Sequence, residues 1–224
     1  MFDIILPILF FSDYTKKTLE TLERTHLQYR LVIIYNGDND KDGDSLSEIA
    51  EIYHSFGENV GIAKSWNWGA QQSEENDLIF INDDILLPQW WLEAFNSGLE
   101  DDWMICPQYT RWDDTVWIGK RDLVDNTLVK AIVGPPPYFA GFCWGLKREA
   151  YKQIGAFDED FFYWFTDTDY YFRCGKMGMP PKQLQGFWIH HYESKTLNQI
   201  MDDAREQIEK EKDIFHKKHG VRIL

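Results

Sequence analysis

Positive charge is scarce in this sequence, and so are cysteine, proline and long apolar runs. Lysine and arginine number 23 against 37 aspartates and glutamates, for a formal charge of −14. That balance excludes a broad basic track for a nucleic-acid backbone, which needs clustered cations. Three cysteines, Cys106, Cys143 and Cys174, are odd in number and far apart. They form neither a disulfide framework nor a zinc-ligand spacing, and they point to a reducing compartment. The opening stretch MFDIILPILFFSDY carries an acid at Asp3 and no basic n-region, so it does not read as a secretory signal. Its apolar run is far below a membrane span. These absences lead to the expectation of a soluble, cytoplasmic protein with no transmembrane segment and no strong nucleic-acid-binding signature.

What the chain does have is aromatic residues, at 16%, with ten tryptophans. Aromatic faces stack on sugar rings or bases, but most of these side chains are expected in the core. At 224 residues the chain fits one domain. No internal repeat, low-complexity tract or linker interrupts it.

Local patterns suggest the elements. Phe2 to Phe11 is an apolar run broken near its end by Pro7, and reads as a buried first strand. Ser12 or Asp13 can cap a helix running to about Arg30, with Leu19 and Leu22 facing in. Leu31–Tyr35 is a short strand entering a polar turn at residues 36–40. Ser45–Phe56 reads as a helix, Asp77–Ile81 as a buried strand, and Pro88 as the first turn of a helix through Phe95. Strands alternating with helices predict a mostly parallel sheet with helices on both faces. Trp103–Tyr138 is less regular and reads as loops and short strands. A charged helix is expected over residues 194–219, with Leu197, Ile200, Met201, Ala204, Ile208 and Phe215 as its apolar stripe and Gly220 ending it.

Three clusters concentrate chemistry. Asn82-Asp83-Asp84 follows the strand Asp77–Ile81, and ligands of open parallel sheets bind beyond the carboxyl ends of strands. Its hard oxygen ligands suit Mg2+ or Mn2+; the same triplet also suits a polar turn that caps the next helix. Asp167 and Asp169 lie in the first turn of a helix that Thr166 or Thr168 could cap, immediately after the aromatic row Phe161–Phe165. Apolar neighbours raise a carboxylate's pKa and improve it as a base, whereas a helix N-terminus lowers it; the sequence does not decide between them. His190-His191 closes the apolar strand Phe187–Ile189. Adjacent strand residues face opposite ways, so one of the two can reach a given site.

Taken in order, these pieces resemble the inverting glycosyltransferase family 2, which has the GT-A fold. Asn59-Val60-Gly61 through Asn67-Trp68-Gly69 is similar to the family's N-x-G-x-x-x-x-x-N-x-G segment, and Phe80-Ile81-Asn82-Asp83-Asp84 to its strand and DXD motif. Phe139-Ala140-Gly141-Phe142, Gly155-Ala156-Phe157-Asp158, Thr166-Asp167-Thr168-Asp169 with Arg173, and His191-Tyr192-Glu193-Ser194-Lys195-Thr196 resemble its later elements. The sequence departs from the pattern at Tyr35, Asn82 and Thr166, where many members carry acids.

The resemblance implies an enzyme: a metal-dependent inverting transferase that moves a sugar from a nucleoside-diphosphate sugar to an acceptor hydroxyl. It implies Asp167 as catalytic base, and Pro7, Asn36, Gly37, Asn59, Gly61, Lys64, Asn67 and Asp83 on the sugar-nucleotide side. Asp84 with His191, or His190, would hold Mn2+ or Mg2+, and Phe139, Gly141, Trp164 and Asp169 would lie on the acceptor side. It places a nucleotide-sugar half at about 1–100, an acceptor-side half at about 101–193 and a C-terminal helix at 194–220. Arg111–Tyr138, with Trp112, Trp117, Lys120, Arg121 and Lys130, is expected to shape the acceptor side. The acceptor stays open among glycans, lipid carriers, proteins and hydroxylated nucleic-acid bases. A non-catalytic sugar- or nucleotide-binding module on the same fold is the alternative. A nucleotidyltransferase would show a glycine-rich, basic loop after the first strand, and Ile8–Asp13 contains no glycine.

Overall fold

The structure, a computed structural model, describes residues 1–72, 74–110, 140–192 and 204–221. The apolar run at the start forms β1 (Phe2–Ile8), buried along its whole length. Ser12 then caps α1 (Asp13–Leu22), accepting from the Thr15 amide while Thr15 reaches back to the Ser12 amide. This helix stops well before the expected Arg30. Arg24 and Thr25 are diverted to contacts with Leu87 and Glu93, and β2 begins at Tyr29 (Tyr29–Tyr35).

A second correction concerns residues 45–56. Asn39 caps α2 (Asp40–Ile49), and the chain then turns into β3 (Ile52–Ser55) rather than staying helical. β3 pairs in parallel with Val32–Tyr35, and no local pattern announces a pairing across a helix. There follow α3 (Ile62–Ala70), β4 (Asp77–Ile81) and the two-residue β5 (Ile85–Leu86). α4 spans Trp91–Asp101 instead of starting at Pro88, because Trp90 adopts a left-handed conformation with φ 64° that bars a helical entry. The nominally irregular stretch begins with a strand, β6 (Met104–Thr110). Then come β7 (Cys143–Leu146), α5 (Arg148–Ile154), α6 (Thr166–Lys176), β8 (Lys182–His191) and α7 (Ala204–His219). Residues 193–203, where the last helix was expected to begin, lie outside the described residues, as does the expected acceptor-side segment 111–138.

The strands form one sheet in the order β3-β2-β1-β4-β7-β6-β8-β5. β1 to β4, β6 and β8 share one direction, and β7 and β5 oppose it. Helices cover both faces, and the register shows how. Ile4 is level with Ile79, and Ile79 with Gly145, where α4 packs through Phe95 and Leu99. Ile5 points the opposite way, against Gly69 of α3. On the α3 face, Trp66, Phe80, Trp144 and Phe157 form an aromatic core, with Phe80 and Trp144 stacked at 4.4 Å. The expectation that tryptophans fill the core holds for Trp66, Trp91 and Trp144; Trp68, Trp90, Trp164 and Trp188 are partly buried and Trp103 is exposed.

At the amino end of β1, Asp3 is fully buried. Arg30 of β2 clamps it with two bonds of 2.7 and 2.9 Å, Asn76 adds one at 2.9 Å, and the Arg148 guanidinium stands at 3.6 Å. This network ties β1, β2, α5 and the approach to β4 at the end of the sheet away from the expected site.

Candidate active site

β2 and β4 flank β1, and the connections leave them in opposite directions along the sheet. Such a reversal opens a crevice at the carboxyl ends of the strands. Pro7 sits where the crevice opens: β1 stays in register with β2 through Ile8, but its pairing with β4 ends at Ile5 and Phe80. A proline is tolerated beyond that point because no ladder partner there awaits its missing N–H.

Residues expected on the sugar-nucleotide side gather around this opening. The Asn36 amide donates to Ile8 O at 2.7 Å, and its buried side chain donates to Ser65 Oγ at 2.8 Å. Tyr35, which stands in place of an acid, folds its ring beneath Gly37 and Gly43 and accepts from the Asn39 amide at 3.2 Å. Burial pushes its phenol above the ordinary range, so the position carries no charge. Asn59 accepts from Gly61 N at 3.0 Å and donates to Tyr163 Oη at 3.0 Å. Gly61 has φ 81°, and a side chain there would strike Phe162 O. Lys64 is exposed on α3, its ammonium 5.2 Å from the Phe56 ring centroid. Asn67 is different. Its buried amide accepts from Phe157 N at 2.7 Å and donates to Phe157 O and Glu159, so it ties α3 to the Gly155–Asp158 turn.

The acidic triplet divides its labour. Asn82 N donates to Phe142 O at 2.8 Å, and Asp83 accepts from Thr15 of α1 at 3.0 Å. Asp84 is buried, and its Oδ1 lies 3.1 Å from His191 Nε2 across the β5–β8 pairing. His191 stacks on the Phe142 ring at 4.3 Å. His190, its neighbour, packs edge-on against Tyr192 instead.

Asp167 joins this group through a turn. A Cβ added at Gly141 would collide with the Asp167 carboxylate. Gly141 adjoins Phe142, which touches both Asn82 and His191, so residues 140–142 link Asp167 to the Asp84–His191 pair. Burial pushes the Asp167 carboxyl above the ordinary carboxylate range, and bonds from the Thr168 amide and hydroxyl pull partly against it. The competition between apolar surroundings and helix terminus is thus won by desolvation. No threonine caps α6. Phe165 occupies the cap position with φ 61°, and Thr166 Oγ1 instead donates to Phe161 O at 3.4 Å.

The remaining expected residues make contacts of their own. Asp169 is buried and bound on both oxygens, to Arg173 at 2.8 Å and His219 at 2.7 Å. Trp164 is partly buried beside Tyr163, and Phe139 lies outside the described residues. Cysteine chemistry is absent from the site: all three thiols are buried, and burial pushes Cys106 and Cys174 up to about 12. Sequence reasoning gave Phe142 only as part of the Phe139–Phe142 segment, and missed Thr15, Ser65 and Glu211. They act through contacts between distant segments and carry no motif of their own.

A mostly parallel sheet with a crevice at its switch point, and an acid–histidine pair and a half-buried acid at that edge, defines a GT-A-type α/β domain. Comparison with known proteins narrows this. The chain belongs to glycosyl transferase family 2, whose profile matches residues 3–155. It is 24% identical over 96 residues to the glycosyltransferase GlyA of Streptococcus pneumoniae serotype 4 (strain ATCC BAA-334 / TIGR4), covering 41% of this chain and 14% of that protein. In fold it is similar to the mannosyltransferase PcManGT from Pyrobaculum calidifontis, solved with GDP-Man and Mn2+, with TM-score 0.65, 14% identity, and coverage of 87% of this chain and 57% of that one. It is also similar to S. aureus TarS 1-349, with TM-score 0.62, 11% identity, and coverage of 94% and 68%. The chain therefore spans less than two thirds of the length of GlyA or PcManGT. No helix among the described residues is long and apolar enough to cross a membrane.

Proposed function

We propose that this domain transfers a sugar from a nucleoside-diphosphate sugar to an acceptor hydroxyl in a single displacement with inversion. The observation that carries the reading is the turn at residues 140–142, which touches Asp167, Asn82 and His191 at one edge of the sheet. Asp167 takes the proton of the acceptor hydroxyl, whose oxygen bonds to the anomeric carbon as the bond to the diphosphate breaks. A carboxyl raised by burial suits this task, because a stronger base is a better proton acceptor. Asn36, Asn59 and Lys64 border the sugar nucleotide, while Asn67 keeps the helix that bears Lys64 in place.

Asp84 and His191 fit a divalent cation: a hard oxygen and an imidazole nitrogen stand side by side, already oriented by Phe142 and the β5–β8 pairing. They would hold Mn2+ or Mg2+, which supplies charge neutralisation to the departing diphosphate. Among the described residues no group of three or more His, Cys, Asp or Glu could hold a metal ion, so diphosphate and water would complete the shell. His190 faces Tyr192 and is the weaker candidate. The buried thiols agree with a reducing, cytoplasmic setting.

The test is turnover of UDP-, GDP- and TDP-sugars in Mn2+, with GDP-mannose first because PcManGT was solved with it. One donor should release nucleotide above background, and Asp84→Ala should weaken its binding in Mn2+ about tenfold or more. Failure of every donor to bind or turn over would remove the reading, as would a donor affinity unchanged by Asp84→Ala.

A further inference from the structure

The Phe161–Phe165 strip precedes the proposed base by two residues, and it is held from two sides. On the sheet side, Asn59 donates to Tyr163 Oη and Ile62 N donates to Phe162 O at 2.9 Å. On the other side lies α7, whose Glu211 is fully buried. Its two oxygens accept from the backbone amides of Tyr163 at 3.2 Å and Trp164 at 2.8 Å, and Gln207 donates to the same carboxylate at 2.7 Å. These two amides belong to a turn that enters α6 through the left-handed Phe165, so no helical carbonyl serves them. Around this contact, Phe215 is buried among Phe161, Phe165 and Phe172. His219 reaches Asp169, and Lys218 reaches Asp158 and Asp160, both at 2.7 Å.

A carboxylate with no exposed surface is costly unless its oxygens are satisfied. The two amides bond to separate oxygens, an arrangement that glutamate provides and glutamine, with one oxygen and an NH2 group in place of the other, does not. The strip they fix leads directly into the helical turn that bears Asp167, and buttresses the sugar-nucleotide segment through Tyr163 and Phe162.

We infer that α7 is a latch on the active site, and that Glu211 is a positioning residue for transfer, acting through the Tyr163 and Trp164 amides. Removing it lets the strip move, and with it the base. The inference rests on the transfer reading for its kinetic consequence but not for its structural one.

The test uses the whole chain as Glu211→Gln, with Lys218→Ala as a second variant that loosens the same helix at its outer end. Two measurements are made: steady-state kinetics with the donor that the wild type uses, and amide hydrogen exchange at Tyr163 and Trp164. Glu211→Gln should lower kcat about tenfold, with donor KM within about twofold, since a small displacement of a reacting group costs rate more than binding. Exchange at the two amides should rise by a similar factor. Lys218→Ala should leave both near wild type. Loss of kcat that merely tracks thermal stability across the two variants would overturn the positioning role. Unchanged exchange in Glu211→Gln would overturn the latch even if the wild type turned over no donor, an outcome that separately removes the transfer reading.

Discussion

The first hundred residues and the segment from 140 onward hold their polar groups by different means. In the first region, Asn36 directly follows β2, which parallel pairing locks in register, and Asp84 directly precedes β5, which is paired antiparallel with β8. Their partners, Ser65 and His191, only trim the orientation. In the second region the proposed base depends on a left-handed turn, a glycine with no room for a side chain, and a helix from the end of the chain. A group borne on a sheet edge inherits the stiffness of the sheet. A group borne on a turn must be braced from outside.

Substitutions can break this contrast. The largest effect is expected for Asp167→Asn, which should lower kcat by about 10²–10⁴-fold with donor affinity nearly unchanged. Its stability should move the other way. The folded carboxyl has a raised pKa, so its contribution favours the fold below the unfolded value and is lost as pH rises through the folded value. The uncharged variant escapes that loss, and chemical unfolding at acid and neutral pH should show it gaining on wild type toward neutrality. For the same reason, the acid limb of kcat/KM in the wild type should lie above the ordinary aspartate value of about 4. Wild-type turnover by Asp167→Asn would end the assignment.

Asp3→Ala probes the sheet side alone. It leaves Arg30 and the buried Arg148 without their carboxylate, and removing one partner of a buried pair costs about 3–5 kcal/mol. Urea unfolding should register that loss, while kcat of the remaining folded protein stays near wild type. A cost below about 1 kcal/mol would mean that the network does not hold the sheet. Gly141→Ala probes the braced side. Its methyl must displace Asp167, and misplacement by about 1 Å can cost about 10²-fold in rate. Donor KM should barely change; a matching rise in KM would show that the turn serves the sugar nucleotide instead. Lys218→Ala should cost less than about 1 kcal/mol, because Lys218 and Asp160 are exposed enough for solvent to screen them. A larger loss in thermal unfolding would make these surface pairs, rather than Phe215 and Glu211, the main attachment of α7.

Much of the sheet side is legible in the sequence because its signals are local. The apolar runs at residues 2–8, 31–35 and 77–81 can bury themselves only as strands, and the polar residues that end them mark the carboxyl edge. Asp167 and Asp169 are likewise visible in a first helical turn, although the cap before them is not. β3 escapes notice because four residues carry too little pattern and its partner lies across α2. The start of α4 is displaced by the backbone of one tryptophan, which composition does not announce.

By itself the sequence determined which segments bury themselves, where the chain turns, and which acids, amides and histidines stand at those turns, since periodicity and capping act over a few residues. Only the tertiary structure decided that His191 rather than His190 meets Asp84 across 107 positions, that Asp167 backs onto Gly141, and that Glu211 braces the strip before the base. Those pairings depend on how strands order in the sheet and where the last helix docks. Such choices are made by packing between distant segments, and no short window of sequence contains them.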